Sequence, residues 1–154
     1  MENNILGTDA ICQVGLLVND VRETGRRYAE FFGVEVPPVV HSGAPERVKG
    51  HYKGEDTDAT CLMMFFDMGG LQLELIQPDE KPSVWRDDLN ARGEGPHHVA
   101  FQVKNSKETA KRLDEAGYTL RMDGDYGDNS GCFHYIDTRD ALKMTIELLE
   151  SYGK

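Results

Sequence analysis

Residues 98–117, "HVAFQVKNSKETAKRLDEAG", repeat the pattern of residues 13–33, "QVGLLVNDVRETGRRYAEFFG". Both stretches begin with an apolar segment, continue into a charged amphipathic segment and end on glycine. The matched identities are Val14 with Val99, Val18 with Val103, Glu23 with Glu108, Thr24 with Thr109, Arg27 with Arg112 and, after one dropped residue, Gly33 with Gly117. An internal duplication indicates the architecture before any single residue does, because each copy is one structural unit that packs against the other.

A second match lies at the ends of the two copies. Residues 71–77, "LQLELIQ", align with residues 144–150, "MTIELLE", so that Glu74 corresponds to Glu147. The offset between the copies is 85 residues at their start (13 to 98) and 73 at their end (74 to 147), so the first copy is 12 residues longer. The polar residues 41–60, "HSGAPERVKGHYKGEDTDAT", are predicted to hold this excess as a loop.

Each copy is predicted to fold as a strand, a helix and further strands. The first strands are "ICQVGLLV" and "HHVAFQV", and the later ones are "ATCLMMFFDM", "LQLELIQ", "GCFHYID" and "LKMTIELLE". The helix signals are N-cap candidates at Asp20 and Asn105, capping-box residues Glu23 and Glu108, and helix-ending glycines Gly33 and Gly117. Residues 82–93 are predicted to form a short helix between the copies. This arrangement predicts an α+β fold in which two curved sheets face each other.

The chain length bounds the domain organisation. A chain of 154 residues can bury one sizeable hydrophobic core. We therefore expect a single domain over residues 1–154. Its first module would span about residues 11–78, a linker about 79–96 and its second module about 97–150.

Composition and charge exclude several classes of function. A net charge of −10 disfavours nucleic acid and anionic membranes as partners, because a phosphate backbone binds to basic surfaces. The chain has no run of about 18 apolar residues and its N-terminus lacks the pattern of a signal peptide, so neither a membrane span nor secretion is expected. Cys12, Cys61 and Cys132 cannot all pair within one chain, which predicts reduced thiols and a cytoplasmic location.

Side-chain alternation along the strands separates the two adjacent histidines. His97 would share a face with Val99, Phe101 and Val103. His98 would lie with Ala100 on the other face. In the first copy, Gln13 would lie beside Gly15 in the same way. Each copy therefore places a side chain that can bind a metal beside a small residue.

Two glutamates at equivalent positions of the repeat point to a shared partner. Glu74 and Glu147 each lie in the middle of an apolar strand, where a carboxylate is costly to bury without a partner. The pattern by itself leaves open that both lie on solvated sheet faces. Together, Gln13, Glu74, His98 and Glu147 would offer an amide oxygen, two carboxylates and an imidazole. This set suits a divalent Mn, Co, Ni, Fe or Zn ion.

Over about residues 11–150, the sequence resembles the vicinal oxygen chelate superfamily. That superfamily includes glyoxalase I, methylmalonyl-CoA epimerase, extradiol dioxygenases and fosfomycin or bleomycin resistance proteins. The resemblance rests on the duplicated pattern and on the histidine directly before "VAF". It implies paired βαβββ modules that form curved mixed sheets around one divalent metal ion, and a homodimer. It also implies Gln13, Glu74, His98 and Glu147 as metal ligands, with Glu74 and Glu147 as the catalytic residues, and it favours His98 over His97.

The residues 92–103, "RGEGPHHVAFQV", and 113–120, "LDEAGYTL", look most like methylmalonyl-CoA epimerases. In those enzymes two carboxylates flank the substrate carbon. One matches Glu147, but the other position is occupied by Cys61, which we interpret as a buried structural cysteine. Glyoxalase I has an arginine that contacts glutathione where this chain has Leu17.

The sequence therefore predicts a divalent-metal-dependent isomerase or epimerase. It would abstract a proton next to the carbonyl group of a small-molecule carbonyl compound or thioester. The alternatives are a lactoylglutathione lyase of the glyoxalase I type and a non-catalytic antibiotic-binding protein.

Overall fold

The structure is a computed structural model that describes residues 3–153, and within them it contains ten strands and five helices. In chain order these are β1 (Ile11–Leu17), α1 (Val21–Phe32), β2 (Val40–His41), α2 (Pro45–Val48), β3 (Gly50–Tyr52), β4 (Glu55–Thr57), β5 (Cys61–Asp67), β6 (Gln72–Pro78), α3 (Val84–Arg92), β7 (Gly95–Gln102), α4 (Ser106–Glu115), β8 (Leu120–Asp125), β9 (Gly131–Ile136), α5 (Arg139–Leu142) and β10 (Thr145–Ser151). Of the helices in this part of the chain, none is long and apolar enough to cross a membrane.

All ten strands hydrogen-bond into one curled mixed sheet, in the order β2-β5-β6-β1-β7-β10-β9-β8-β3-β4. Within each copy the first strand pairs in parallel with the last, β1 with β6 and β7 with β10. The α+β class and the curved mixed sheet agree with the prediction. The two curved sheets that were expected to face each other are continuous, because the first strands of the two copies, β1 and β7, pair antiparallel and join the modules into one sheet.

The longer helices cover one face of this sheet. Helix α1 buries Val21, Gly25 and Ala29, which are spaced four residues apart along one helix face. Val21 and Ala29 belong to a core cluster with Met64 of β5 and Leu75 of β6. Helix α4 packs in the same way against β9 and β10. Helix α3 contributes Val84, Trp85 and Leu89 to a different core cluster, which also contains Leu17 of β1 and Ile76 of β6.

Helix α1 begins and ends where the sequence predicts. The Asp20 carboxylate accepts hydrogen bonds from the backbone N–H groups of Arg22 and Glu23, at 3.0 Å each. Gly33 ends the helix in the left-handed conformation with φ 67°. The predicted capping box does not close, because the Glu23 carboxylate instead binds arginines of its own helix, including Arg27 at 2.8 Å.

Helix α4 is capped from another strand. Asn105 occupies the N-cap position, but its backbone is left-handed (φ 54°) and its side chain makes no capping bond. Glu150 of β10 accepts instead from the backbone N–H groups of Ser106, at 2.8 Å, and of Asn105, at 3.3 Å. The prediction that the Asn105 side chain caps this helix is therefore wrong. Gly117, with φ 95°, follows the end of the helix as predicted.

The extra residues of the first copy are structured. Residues 41–60 include the end of β2, helix α2 and the β3–β4 hairpin. Strand β2 pairs with β5 in the first module, whereas β3 pairs with β8 in the second, so the insertion reaches across from one module to the other. It approaches the second module so closely that a β-carbon on Gly43 would lie 2.6 Å from the Cα atom of Gly127.

A bulge in β7 turns His97 toward His98. Gly15 pairs with His98, but the next residue of β1 pairs with Pro96, so His97 has no partner on β1. The predicted placement of the two histidines on opposite faces is wrong, because one extra residue interrupts the two-residue period of the strand. Both imidazole rings pack against Tyr135, with ring centroids 5.7 and 5.3 Å from it.

Candidate metal centre

Four adjacent central strands bring the four predicted ligands together. In each of two neighbouring rows across the sheet, a small residue separates two side chains that can bind a metal. The two rows are Glu74–Gly15–His98 and Gln13–Ala100–Glu147. Gly15 has no side chain and Ala100 has only a methyl group, so the larger side chains on either side can converge above them.

The Nε2 atom of His98 lies at the centre of this cluster. It is 2.9 Å from Oε2 of Glu147, 3.4 Å from Oε2 of Glu74 and 3.0 Å from the side-chain amide of Gln13. Ligand atoms of Glu74, His98 and Glu147 all lie within 4.8 Å of one another. None of the four residues is more than 6% exposed. Two buried carboxylates at this separation need a positive charge between them.

The separations fit the coordination shell of a divalent ion. First-row divalent ions bind protein nitrogen and oxygen at about 2.0–2.2 Å, which puts neighbouring ligands about 3.0 Å apart at right angles and about 3.4 Å apart in a tetrahedron. The distances from His98 to Glu147 and Glu74, 2.9 and 3.4 Å, lie in this range. The two carboxylates would also balance the charge of the ion. These residues could therefore hold a divalent metal.

Gln13 can serve this cluster in two ways. The amide atom that faces the carboxylates lies 3.1 Å from Oε2 of Glu74 and 3.2 Å from Oε2 of Glu147, and the other amide atom lies 2.6 Å from Oε1 of Gln72. With its nitrogen inward, Gln13 donates to both carboxylates; with its oxygen inward, it offers a fourth metal ligand. A half-turn of the Gln13 and Gln72 amides together exchanges the two arrangements.

The carboxylates govern the protonation of His98 when no ion is bound. Burial alone would lower the pKa of His98, but the charges and hydrogen bonds of Glu147 and Glu74 outweigh burial and raise it to about 10. Burial raises the pKa of Glu74, against the opposing effect of His98. An ion that binds Nε2 of His98 must therefore displace a proton.

The sequence patterns missed two residues behind His98. Nδ1 of His97 lies 3.0 Å from Nδ1 of His98, and Nε2 of His97 lies 2.8 Å from Oδ2 of Asp88. Burial lowers the pKa of His97 to about 4, although the hydrogen bond to Asp88 opposes this. A usable signal was present in the sequence, because Asp88 falls within the apolar stripe of α3 and a buried carboxylate needs partners.

A cavity of about 650 Å³ opens onto the cluster. Gln13, Glu74 and Glu147 line it, and much of the remaining wall is aromatic: Phe65, Trp85, Tyr126, Phe133 and Tyr135. The insertion contributes His41 and Arg47, and Arg47 is the one lysine or arginine among the described lining residues. A small molecule in this cavity would lie directly against the carboxylates.

Cys61, His41 and His51 are not part of the clustered donor set. Cys61 lines the cavity but is buried in a core cluster, and burial, reinforced by the charge of Glu74, raises the pKa of its thiol well above the usual range. Its burial agrees with the predicted one, and its structural role stays a prediction. His41 and His51 are both exposed, although His41 also lines the cavity and His51 binds Asp123 at 2.7 Å.

Comparison with known proteins supports the same fold. Similar solved structures include a hypothetical protein from Bacillus halodurans C-125, with TM-score 0.65 and 18% identity over 94% of this chain and 96% of that chain. Methylmalonyl-CoA epimerase from Mycobacterium tuberculosis has TM-score 0.64 and 22% identity over 93% and 88%. A Streptomyces coelicolor methylmalonyl-CoA epimerase variant in complex with 2-nitronate-propionyl-CoA has TM-score 0.60 and 20% identity over 93% and 97%.

At these identities the structural likeness establishes the fold alone. A sequence comparison with curated proteins gives no match. The family profile, however, matches residues 12–135, which is most of the chain. The chain therefore belongs to the Glyoxalase/Bleomycin resistance protein/Dioxygenase superfamily.

Proposed function

We propose that this protein is a divalent-metal-dependent isomerase or epimerase that moves a proton at a carbon next to a carbonyl group. The observation that carries the proposal is the buried cluster of Glu74, His98 and Glu147 at the wall of a small-molecule cavity. Two carboxylates and an imidazole in this geometry combine a metal site with groups that can accept and return a proton.

Glu74 and Glu147 are the proposed proton carriers. A divalent ion held by Gln13, Glu74, His98 and Glu147 would act as a Lewis acid on the substrate carbonyl oxygen. Glu74 and Glu147 come from β6 and β10, on opposite sides of the central β1–β7 pair. In the proposed reaction, one of them removes a proton and the other returns it. Without an ion, burial raises the pKa of Glu74, and a carboxylate that leaves the ion to accept a proton would return to this more basic state.

The cavity wall supports this chemistry. Side chains such as Phe65, Trp85 and Phe133 line the space beside the carboxylates. An apolar wall excludes water, which strengthens the interactions of the carboxylates with a reacting group.

Arg47 indicates the class of substrate. It lies on α2 at the cavity and makes no side-chain hydrogen bond or ion pair with any residue of the described range 3–153. It is exposed at the cavity, where its guanidinium would bind one anionic group of a substrate. One structural neighbour is a methylmalonyl-CoA epimerase in complex with methylmalonyl-CoA. We therefore favour an acyl thioester that carries a carboxylate as the substrate.

A glyoxalase I-type lyase is the second candidate. The donor order glutamine, glutamate, histidine, glutamate resembles that of some glyoxalase I enzymes. Against it, Leu17 stands at the position of the arginine that contacts glutathione, and it is buried in a core cluster. A homodimer and a cytoplasmic location stay predictions.

Hydrogen isotope exchange tests the proposal. The metal-loaded protein is incubated in heavy water with methylmalonyl-CoA, with simple acyl thioesters and with α-hydroxy or α-keto compounds. We expect deuterium at the carbon next to the carbonyl, and no exchange with the Glu147→Gln variant. Turnover of the hemithioacetal of methylglyoxal and glutathione alone would favour the lyase. Tight binding of aromatic antibiotics with no exchange in any compound would favour a non-catalytic binding protein.

A further inference from the structure

Behind His98, on the side away from Glu74 and Glu147, buried side chains form a chain of hydrogen bonds. It runs from Nδ1 of His98 to Nδ1 of His97 at 3.0 Å, and from Nε2 of His97 to Oδ2 of Asp88 at 2.8 Å. All three side chains are at most 5% exposed. The proton transfer proposed above uses none of these contacts, so this series of hydrogen bonds requires an explanation of its own.

Asp88 determines which atoms donate and which accept in this chain of hydrogen bonds. Nη1 and Nη2 of Arg121 lie 3.0 and 3.1 Å from its two carboxylate oxygens, and Nη2 of Arg92 lies 3.1 Å from Oδ2. Between two guanidinium groups the carboxylate is ionised, and an ionised carboxylate can only accept hydrogen bonds. Nε2 of His97 is therefore the nitrogen that donates to Asp88.

The next hydrogen bond follows from the first. A neutral imidazole carries one N–H, so a proton on Nε2 of His97 leaves a lone pair on its Nδ1. That lone pair faces Nδ1 of His98 at 3.0 Å, and the contact is a hydrogen bond only if His98 donates from Nδ1. Nε2 of His98, which faces Glu74 and Glu147, then keeps its lone pair for an ion.

We propose that Asp88 and His97 are positioning residues that hold His98 in the tautomer with a proton on Nδ1 and so direct its Nε2 to the metal. The proposal rests on the proposed metal-dependent function, but it concerns metal affinity rather than turnover. It gives a role to the bulge at His97, which brings two consecutive rings into contact. It also gives a role to α3, the helix between the modules, which supplies Asp88.

Reversing the donor–acceptor direction of these hydrogen bonds tests the proposal. Asp88→Asn keeps the size of the side chain, but its amide can donate to Nε2 of His97, which would turn the proton of His97 to Nδ1 and remove the acceptor for His98. We expect the zinc affinity to fall about 10- to 100-fold, the usual effect of losing a partner of a ligating histidine. The matched control is Asp87→Asn on the same helix, since Asp87 binds the Tyr52 hydroxyl at 2.6 Å and does not contact His97. The control should keep wild-type affinity.

A second pair of variants separates the hydrogen bonds of His97 from the packing of its side chain. The amide of His97→Gln can accept from His98 and donate to Asp88, whereas His97→Leu can do neither. We expect His97→Gln to retain most of the zinc affinity and His97→Leu to lose it, with circular dichroism confirming that both are folded. Equal losses in the two variants would assign His97 a packing role only and overturn the proposal.

Nitrogen and proton NMR of the zinc-loaded protein reads the tautomer directly. We expect His98 to be bound through Nε2 and to show a downfield Nδ1–H resonance that is lost in Asp88→Asn. Binding of zinc through Nδ1, or unchanged affinity in Asp88→Asn, would overturn the inference even if isotope exchange occurs. Conversely, the expected tautomer and affinities without isotope exchange in any substrate would refute the proposed function and leave this inference standing.

Discussion

Gly15 lies directly opposite His98 across the antiparallel β1–β7 pair, and a β-carbon at Gly15 would overlap the His98 imidazole ring. The backbone of Gly15 is not in the left-handed region, so glycine is not needed there for its conformation. The missing side chain is what matters, because the imidazole occupies the space above the glycine.

We expect Gly15→Ala to displace His98 and weaken the metal centre. The methyl group cannot fit without moving the ring, so zinc affinity should fall at least about 10-fold, with a loss of about 1–3 kcal/mol in the free energy of unfolding from overpacking. Zinc titration and chemical denaturation measure the two effects. Gly25→Ala is the control, because its methyl group would meet the flexible Met64 side chain on the helix-covered face. Wild-type zinc affinity in Gly15→Ala would contradict the assigned position of His98.

We expect the purified protein to bind about one divalent ion per chain, as one set of donor atoms implies. Glu74→Gln and Glu147→Gln each remove one of the two buried negative charges, so each should lose most of the bound metal. Elemental analysis after dialysis measures the content. Glu108→Gln changes an exposed carboxylate on α4 and should keep full occupancy. Full occupancy in either of the first two variants would remove that residue from the ligand set.

We expect Cys61→Ala to leave isotope exchange within about threefold of the wild type. Burial keeps the thiol protonated, and a protonated thiol is not a base. Loss of a true acid–base group would instead cost about 10²–10⁴ in rate. The measurement uses each enantiomer of methylmalonyl-CoA separately. A loss of that size for one enantiomer alone would show that Cys61 is the second base of an epimerase.

We expect Glu150→Gln to be less stable than the wild type by about 1 kcal/mol at neutral pH, the typical value of a helix cap. Hydrogen bonds from Ser106 lower the pKa of Glu150, so its contribution is present above the unfolded value of about 4.3 and is lost as the pH falls through the folded value. The denaturation midpoints of the wild type and of Glu150→Gln, measured from pH 7 to pH 3, should therefore converge at low pH. Glu115→Gln, at the other end of α4, should show no such loss, and a constant difference across this range would argue against the capping role.

We expect Arg47→Gln to raise the KM for a carboxylate-bearing acyl thioester about tenfold while changing kcat little, because the guanidinium would bind a group remote from the reacting carbon. Steady-state kinetics on methylmalonyl-CoA measures both constants. Lys49→Gln removes the same charge from a neighbouring residue that does not line the cavity, and it should leave both constants unchanged. Equal effects of the two substitutions would indicate a general electrostatic influence and no specific contact.

The duplication and the alternation along its strands were enough to predict the α+β sheet and to nominate Gln13, Glu74, His98 and Glu147. The duplication is visible in the order of residues alone, and the alternation is local, because successive side chains of a strand point to opposite faces whatever its neighbours are. The structure brings these four side chains together. The same rule failed one residue away, at His97, because a bulge depends on how β7 pairs with β1 and not on the sequence of β7 alone.

The sequence by itself determined the repeat and the class of the fold, and with the family resemblance it nominated the four donor residues, since these need only the order and spacing of residues along the chain. Only the tertiary structure decided what surrounds them. It joined the modules through β1 and β7, carried the insertion to β8, capped α4 with Glu150 and placed Asp88 behind His97. These contacts join residues from different strands and helices, and the hydrogen bonds that select them form only when those elements have packed against one another.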